Sequence, residues 1–246
     1  MSKVLILGGT AEARALAEAL AKNQPGLDLI TSLAGVTTQA PGVPGQVRVG
    51  GFGGVAGMVE YLKRENIDRV IDATHPFAAT ITEHAVQACL ETGVAYLRLD
   101  RPQWEVPQDT DVVFVPDAAE AARLVARTSS SAFLTIGRKD LSAFQGLGKV
   151  KLLVRAIEPP HEDVKLDSVT YVLARPPFTL SEEVALMREH GIDTLVTKAS
   201  GGTATRAKLD AAAQVGARIV LLRRPPPPDA ERVLSVEEAV AWVSKP

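Results

Sequence analysis

The sequence predicts an α/β protein built from two Rossmann-like lobes, each with a parallel sheet, and a cleft between the lobes. Short runs rich in Val, Leu and Ile alternate with longer segments of helical period, which is typical of parallel strands joined by crossover helices. The apolar fraction of 46% over 246 residues is ample for buried cores. A repeated ending to each half is the third observation.

The predicted elements divide into two halves of similar pattern. In the first half we predict strands at 4–7, 27–33, 70–73 and 95–99, and helices at 11–21, 55–65 and 77–91. In the second half we predict strands at 132–136, 151–154, 171–173, 194–197 and 218–222, and helices at 181–190 and 203–215. The polar, proline-rich stretch 101–111 indicates a boundary between an N-terminal lobe, residues 1–102, and a C-terminal lobe, residues 103–246.

The two halves end in a similar way. "LRLDRP" is followed by "PDAAEAARLV", and "LLRRP" is followed by "LSVEEAVAWV". Both following segments begin with capping-box spacing, Asp117 with Glu120 and Ser235 with Glu238. Each half therefore closes with a strand, an Arg-Pro pair, an extended connection and a capped helix.

Charge and cysteine content exclude several classes of partner. The net charge of -2 gives no electrostatic footprint for nucleic acid or an anionic membrane. The single cysteine, Cys89, falls on the apolar face of a predicted helix, so we expect a core residue. The four histidines are scattered without metal-ligand spacing. With no leader-like segment and no apolar run of membrane-spanning length, we expect a cytoplasmic protein, and we expect a monomer.

The turn after the first predicted strand is a candidate diphosphate site. In open parallel sheets, ligands bind beyond the carboxyl ends of the strands, where helix N-termini attract anions. Gly8 and Gly9 would let the backbone approach a diphosphate, and the Thr10 hydroxyl would donate a further hydrogen bond. The alternative is an ordinary turn with a helix cap. Arg14 has two interpretations that stay open: a phosphate contact, or a surface pair with Glu18.

The end of the second predicted strand favours one nucleotide over another. NAD sites usually place an acidic residue there to bond the ribose, whereas this chain has Thr31 and Ser32. The missing acid permits a 2′-phosphate, which favours NADPH over NADH. We therefore include Ser32 and the nearby Gly35 among the candidate cofactor contacts.

"RVGGFGG" is richer in glycine than a plain connection requires, since each glycine costs conformational entropy on folding. A closely approaching ligand would explain this composition. Gly51, Phe52 and Gly53 are therefore candidate cofactor contacts, with Phe52 stacking on a flat ring. The alternative is a flexible turn anchored by an aromatic side chain.

"DATHPFA" comes at the end of the next strand. We expect Thr74 near a helix cap and in contact with the cofactor, and Pro76 in the first helical turn. His75 would either line the site or transfer a proton, and it is the candidate catalytic residue. Phe77 is a candidate substrate contact.

"TKASGGTATR" is the counterpart in the second half. Lys198 ends a strand whose apolar composition predicts burial. A buried charge is costly unless it contacts solvent or an anion. We expect Gly201 and Thr203 to lie at a helix N-terminus and to form an anion site together with Lys198 and Ser200. The alternative is a lysine that extends to the surface.

In this order, "LILGGTAEAR", "SLAG", "GGFGG", "DATHPFA", "LRLDRP.W" and "TKASGG" resemble the precorrin-6A reductases of the cobalamin pathway, from Val4 to Arg224-Pro225. The resemblance implies NADPH-dependent reduction of one double bond in a methylated, carboxylate-rich macrocycle, with precorrin-6B as product. The sequence departs from the family pattern at Val36, where the family often has Arg. It also departs in "VRAIEPP", which lacks the usual Leu-Pro after its arginine. Part of the family acts on a cobalt-bearing substrate, and the sequence leaves that choice open.

The substrate implied by this resemblance is a tetrapyrrole. Its carboxylates need local cations and N–H donors in a protein of nearly balanced charge. We expect them near Lys198, Ser200, Gly201 and Thr203, with the macrocycle between the lobes and close to Phe52. Two other functions stay open from the residues alone: a two-lobed nucleotide-binding protein without turnover, and a sugar-nucleotide transferase.

Overall fold

The strands form two parallel sheets of six strands each. A computed structural model describes residues 2–34, 42–159, 164–203 and 205–245. The chain divides into two compact units, the first comprising Met1–Arg101 with Pro225–Pro246 and the second Pro102–Arg224. The predicted α/β class with Rossmann-like lobes is confirmed.

Strands and helices alternate along most of the chain. In chain order they are β1 (Lys3–Leu7), α1 (Ala11–Asn23), β2 (Asp28–Leu33), β3 (Gln46–Val49), α2 (Gly54–Arg64), β4 (Arg69–Asp72), α3 (Ala79–Thr92), β5 (Ala95–Leu99), β6 (Val112–Val115), α4 (Ala118–Thr128), β7 (Ser131–Thr135), a 3₁₀ segment (Arg138–Phe144), β8 (Lys151–Ala156), β9 (Val169–Leu173), α5 (Leu180–Glu189), β10 (Thr194–Lys198), α6 (Ala207–Val215), β11 (Arg218–Leu222), β12 (Arg232–Val233) and α7 (Val236–Val243).

Both sheets have equivalent strand orders. The first is β12-β5-β4-β1-β2-β3 and the second is β6-β11-β10-β7-β8-β9. In the first sheet, β1, β2 and β3 follow one another toward one edge, and β4 then pairs on the other side of β1. In the second sheet, β7, β8 and β9 do the same, and β10 pairs on the other side of β7. The order therefore reverses between β1 and β4, and again between β7 and β10. Such reversal points are where open α/β sheets bind ligands.

The inner strands carry apolar runs because both faces of each sheet are covered. In β1, Val4, Leu5 and Ile6 are fully buried. Val4 and Ile6 belong to a core cluster with residues of α1 and α7, whereas Leu5 belongs to a cluster with residues of α2 and α3. This alternation results from the two-residue period of a strand.

The C-terminal residues belong to the first unit, which corrects the predicted boundary for 225–246. β12 pairs with β5, and α7 contacts α1. β6, in contrast, pairs with β11 of the second unit. The two repeated endings are β6 with α4 and β12 with α7: the first lies in the second unit, on the predicted side of the boundary, whereas the second lies in the first unit. A local sequence pattern predicts a strand without indicating which sheet edge it joins.

Other elements also differ from the predictions. β3, β6 and β12 were not predicted because they are short edge strands with at most one buried residue each. α3 begins at Ala79 rather than at 77, and α6 begins at Ala207 rather than at 203. The candidate site residues before α3 and before α6 therefore lie in loops and not in the helices. Contacts other than helical hydrogen bonds must hold these loops.

We expect Trp242→Ala to destabilise the first unit. The Trp242 side chain is 6% exposed, belongs to the same core cluster as β1, and donates its indole N–H to Glu231 at 2.8 Å. Loss of a buried tryptophan costs about 3–5 kcal/mol. Hydrogen exchange should show faster opening of β1 and α1 with little change in β7 and β10. Leu234→Ala, at a side chain 58% exposed, is the matched control and should change stability by at most about 0.5 kcal/mol. Faster opening confined to the second unit would contradict the assignment of residues 225–246 to the first unit.

Candidate active site

The carboxyl ends of β1, β2 and β4 meet at the reversal point of the first sheet. The Gly8 N–H donates to the Ser32 carbonyl at 2.9 Å, and the Ala73 N–H donates to the Leu7 carbonyl at 3.0 Å. The Thr10 hydroxyl donates to the Ala73 carbonyl at 2.7 Å. Three segments that are far apart in the sequence are therefore linked by hydrogen bonds.

The turn from β1 to α1 needs both of its glycines. A Cβ on Gly8 would lie 3.1 Å from Cγ2 of Thr31, so a side chain there would press on β2. Gly9 has φ +99°, a conformation that L-residues rarely adopt, and a Cβ there would meet no atom of the described residues within 4 Å. The backbone at Gly9 is thus open to the surroundings, as a close-approach site requires.

Thr10 has a different role from the predicted one. Its hydroxyl oxygen accepts the Ala13 N–H at 3.1 Å and caps α1, while its proton goes to the Ala73 carbonyl. The hydroxyl is therefore already used as a donor, and only the backbone of this turn is left to bind an anion. This corrects the expectation that the hydroxyl donates to a diphosphate.

Of the two interpretations left open for Arg14, the surface pair with Glu18 does not form within the described residues. Arg14 is exposed. Glu12, close by in the first turn of α1, pairs instead with Arg101 at 2.6 Å. Burial lowers the pKa of Arg101, and the Glu12 carboxylate opposes that shift.

Ser32, where NAD enzymes carry an acid, is paired with a cation that the sequence reasoning missed. Arg48 lies opposite Ser32 in the β2–β3 register and donates from Nη1 to Ser32 Oγ at 2.8 Å. Its guanidinium carbon lies 3.8 Å from the centre of the Phe52 ring. Because β3 was not predicted, this register could not be inferred, although Arg48 opens the quoted "RVGGFGG".

The glycine-rich loop closes around the same guanidinium. Arg48 donates to the carbonyls of Gly50 at 2.9 Å and of Gly51 at 3.0 Å. Gly53 is the N-cap of α2 and supplies no side-chain cap. Phe52 therefore stacks on a flat group within the chain itself, the guanidinium. The predicted contact at Gly35 lies outside the described residues.

Thr74 belongs to a buried polar network instead of a helix cap. Asp72 is fully buried and pairs with Arg98 at 2.7 Å. The Thr74 N–H and hydroxyl both donate to Asp72, at 3.0 and 2.7 Å, and the hydroxyls of Thr82 and Tyr96 donate at 2.6 and 3.0 Å. Burial and the Asp72 carboxylate raise the pKa of Tyr96, so its hydroxyl keeps its proton.

This network fixes the loop that carries His75. Arg98 donates to the Thr74 carbonyl at 3.0 Å, directly before His75. His75 and Phe77 are half-buried, and His75 Nδ1 accepts the Phe77 N–H at 3.2 Å. With Nδ1 acting as acceptor, the proton of the neutral ring is on Nε2. Both residues precede α3, so the predicted helical position of Phe77 is wrong.

In the second unit, Lys198 ends β10 at the reversal point and is paired within the chain. Its Nζ lies 2.6 Å from Asp140 Oδ2, and both side chains are partly exposed. Asp140 belongs to the 3₁₀ segment after β7, so the pair joins the two strands at which the order reverses. The predicted cation is present, but a neighbouring carboxylate partly neutralises it.

The loop Ala199–Thr203 comes directly after Lys198 and is here called the substrate loop, after the substrate contacts that the sequence analysis expects in it. Ser200 and Gly201 are buried, and Thr203 is exposed. The expectation of a helix N-terminus at this loop is wrong, since α6 begins at Ala207 and its N-cap, Arg206, supplies no side-chain cap. The loop is held by contacts from elsewhere in the second unit.

A buried charged cluster at the same sheet edge was also missed. Arg155, at the end of β8, pairs with Glu183 in the first turn of α5 at 2.8 Å, and the guanidinium carbon lies 3.7 Å from the Phe178 ring centre. Lys208, in the first turn of α6, is 4% exposed. Burial and the Arg155 charge lower the pKa of Lys208 to about 7, while Glu183 opposes this shift. An Arg inside the apolar run "KLLVRA" was the available signal.

The described ranges contain neither a candidate metal centre nor a candidate membrane span. In these ranges no three His, Cys, Asp or Glu side chains are grouped so as to hold a metal ion. No helix in them has the length and apolar character needed to cross a bilayer.

Known proteins match nearly the whole chain. The family model "Precorrin-6x reductase CbiJ/CobK" matches residues 3–244. A precorrin-6A reductase from Rhodococcus erythropolis is 47% identical over 245 residues, covering 99% of this chain and 98% of the relative. A solved structure of a CobK precorrin-6A reductase has a TM-score of 0.92 and 38% identity, covering 99% of this chain and 96% of that one. The chain belongs to the precorrin-6x reductase family.

Membership in the precorrin-6x reductase family makes the protein an oxidoreductase of cobalamin biosynthesis. It favours this function over the two alternatives left open by the residues. A cobalt-precorrin-6A reductase from Priestia megaterium is 29% identical over 237 residues, with 90% of each chain covered. Proteins similar to this chain are thus named both as precorrin-6A reductases and as cobalt-precorrin-6A reductases.

We expect Lys208→Met to stabilise the protein most at and below neutral pH. The folded-state pKa is about 7 against an ordinary value of 10.5, so the unfolded chain binds more protons between these values. The cost of the buried ammonium is complete below pH 7 and falls as pH rises, by at most about 1.4 kcal/mol per pH unit. Urea unfolding at pH 6 to 10 should show the difference between variant and parent shrinking with pH. Lys139→Met, at an exposed lysine, is the control, and a pH-independent difference for Lys208→Met would contradict the prediction.

Proposed function

We propose that this protein reduces one double bond of precorrin-6A with a hydride from NADPH. The family membership supports the reaction, and the open backbone at Gly9 carries the assignment of the nucleotide site. NADPH supplies the hydride, and the chain's own residues bind and orient the two molecules and provide the proton. Positioning of this kind is the main contribution of a protein to cofactor chemistry.

The diphosphate is assigned to the turn from β1 to α1. Gly8 and Gly9 allow close approach, and the first-turn N–H groups of α1 have no intrahelical partners. Since Ala13 N–H is capped by Thr10, the N–H groups nearest Gly9 are the remaining donors. Arg14, exposed in the same turn, is retained as a further phosphate contact.

The 2′-phosphate is assigned to Ser32 and Arg48. In the Rossmann arrangement the end of β2 faces the ribose, and an arginine there accommodates the phosphate of NADP. Arg48 is held by Ser32, by two loop carbonyls and by Phe52, so its guanidinium is fixed in place before any ligand arrives. These hydrogen bonds use part of the five-donor capacity of a guanidinium, which leaves donors for a phosphate.

The carboxylates of the macrocycle are assigned to the second unit. Lys198 and the substrate loop, with Ser200, Gly201 and Thr203, lie at the carboxyl edge of the second sheet. A substrate carboxylate would compete with Asp140 for Lys198. Phe77 is retained as a contact to the macrocycle.

His75 is assigned as proton donor. Reduction of a double bond requires a proton as well as a hydride, and the neutral ring of His75 carries its proton on Nε2 because Nδ1 accepts the Phe77 N–H. The ion pair of Asp72 and Arg98 holds the loop that orients this ring. An imidazole donates a proton from its imidazolium form and returns to the neutral ring, so Nδ1 must take up a proton in place of the Phe77 N–H contact before Nε2 donates to the substrate.

The reaction is tested by following NADPH absorbance with and without the macrocycle. We expect oxidation of NADPH only when precorrin-6A is present, with a lower KM for NADPH than for NADH. Binding of NADPH without turnover would support the sensor function instead. Tighter binding of a nucleotide sugar than of NADPH would support the transferase, and equal efficiency with NADH would remove the cofactor assignment.

We expect Arg48→Ala to raise the Kd for NADPH by about ten- to a hundredfold, the range for loss of a charge-assisted hydrogen bond. NADH binding should change little, because NADH has no 2′-phosphate. Arg64→Ala is the matched control. The guanidinium carbons of Arg48 and Arg64 lie 5.0 and 5.3 Å from the ring centre of Tyr61, but Arg64 is exposed and pairs only with its neighbour Glu65 among the described residues. Fluorescence titration with both nucleotides measures the effect. A loss of equal size for NADPH and NADH would contradict the assignment.

We expect substitutions of Lys198 and of Asp140 to change the KM for the macrocycle in opposite directions. Lys198→Ala should raise the KM for the macrocycle by about tenfold, since it removes a cation that faces an anionic ligand. Asp140→Asn should lower this KM, because a competing carboxylate is removed. Lys139→Ala is the control at the adjacent exposed lysine. Loss of NADPH affinity in Lys198→Ala, with an unchanged KM for the macrocycle, would show that the second-unit turn serves the cofactor.

A further inference from the structure

The segment Pro102–Glu105, here called the strap, lies against the substrate loop within the second unit. The Trp104 indole N–H donates to the Gly202 carbonyl at 2.6 Å. One residue further along, the Glu105 carbonyl accepts from Arg206 Nη1 at 2.6 Å. The strap is therefore bonded to the loop and to the N-cap residue of α6.

The strap and the substrate loop touch without space for a side chain. Gly201 has φ +65°, and a Cβ there would overlap the Pro102 carbonyl oxygen. Arg224 bridges both segments, because its Nε donates to the Ala199 carbonyl at 2.6 Å and its Nη2 to the Pro102 carbonyl at 3.3 Å. A shift of the strap would therefore displace the loop.

The Trp104 ring is itself anchored. It packs against the core cluster of the second unit, and the Lys208 ammonium lies 5.4 Å from its ring centre. The indole is thus held by apolar packing and a cation on its ring, and by a hydrogen bond at its nitrogen. The donor N–H is fixed in direction before the loop binds anything.

We propose that Trp104 is a positioning residue for the tetrapyrrole: it holds the Gly202 carbonyl and so orients Ser200 and Thr203 toward substrate carboxylates. The substrate loop is not part of a helix, so its geometry depends on contacts of this kind. This inference rests on the proposed function, specifically on the assignment of the macrocycle to this loop. Trp104 acts through the loop and need not touch the substrate.

Trp104→Phe tests the role by removing the indole N–H while keeping an aromatic ring in the core. We expect the Kd for the tetrapyrrole, titrated without NADPH, to rise about three- to tenfold, the effect of one lost hydrogen bond. The kcat and the Kd for NADPH should stay within about twofold of the parent. Trp242→Phe is the matched control, since Trp242 donates its indole N–H to Glu231 in the first unit. An unchanged tetrapyrrole Kd in Trp104→Phe would overturn the proposal.

A double-mutant cycle with Thr203→Val separates positioning from general loss of stability. If Trp104 acts through the loop, Trp104→Phe should weaken tetrapyrrole binding less in the Thr203→Val background than in the parent. If the factors by which the two substitutions raise the Kd simply multiply in the double variant, Trp104 and Thr203 act independently and the proposal is overturned. Thermal unfolding of each variant checks that the fold is retained.

Hydrogen exchange on the unaltered protein provides a test that does not require a folded variant. Adding tetrapyrrole alone should protect amides of the strap and of the substrate loop together. Protection of the loop without the strap would overturn the proposal. The exchange experiment contains no reductant, so its result does not depend on NADPH turnover. Absence of NADPH turnover would refute the proposed function but would leave this test of the strap valid. Exchange unchanged in both segments at saturating tetrapyrrole would refute the placement of the substrate and the role of Trp104 together.

Discussion

The buried ion pair of Asp72 and Arg98 is the constraint on which the first unit's site depends. Taking two charges out of water is costly, and such a pair is tolerated only when further hydrogen bonds satisfy both groups. Here Thr74, Thr82 and Tyr96 supply those bonds, and the same bonds hold the loop before α3 at the end of β4. His75 lies on that loop, and Thr10 ties the turn from β1 to α1 to it through the Ala73 carbonyl. The segments to which we assign the proton donor and the diphosphate are thus positioned by one network.

The second unit has an ion pair in a comparable position, with a different outcome. Arg155 and Glu183 are buried near the carboxyl edge of the second sheet, but Lys208 brings a second cation to the same region. Oε2 of Glu183 has no hydrogen-bond partner among the described residues, so this cluster is less completely satisfied than that of Asp72. Incompletely satisfied buried charges reduce stability. The aromatic rings of Trp104 and Phe178 cover the cations and partly offset that cost.

The two units share a strand arrangement but differ in the segment after their central strands, β1 and β7. After β1 the chain forms a glycine turn and a full helix, whereas after β7 it forms a 3₁₀ segment that supplies Asp140. A helix N-terminus favours an anion such as a diphosphate, while a carboxylate paired with a lysine gives a site whose charge depends on the ligand. This difference supports placing the nucleotide on the first unit and the carboxylate-rich macrocycle on the second.

The sequence by itself determined the α/β class, the inner strands, the helix caps at Asp117 and Ser235 and the glycine turn, because these depend on residue periodicity and local hydrogen bonding. The order of motifs also determined the family. Only the tertiary structure decided that residues 225–246 complete the first sheet, since edge pairing joins segments far apart in the chain. It also decided the partners of Arg48, Lys198 and Trp104. Hydrogen bonds and ion pairs between distant segments depend on register and packing, which no local pattern encodes.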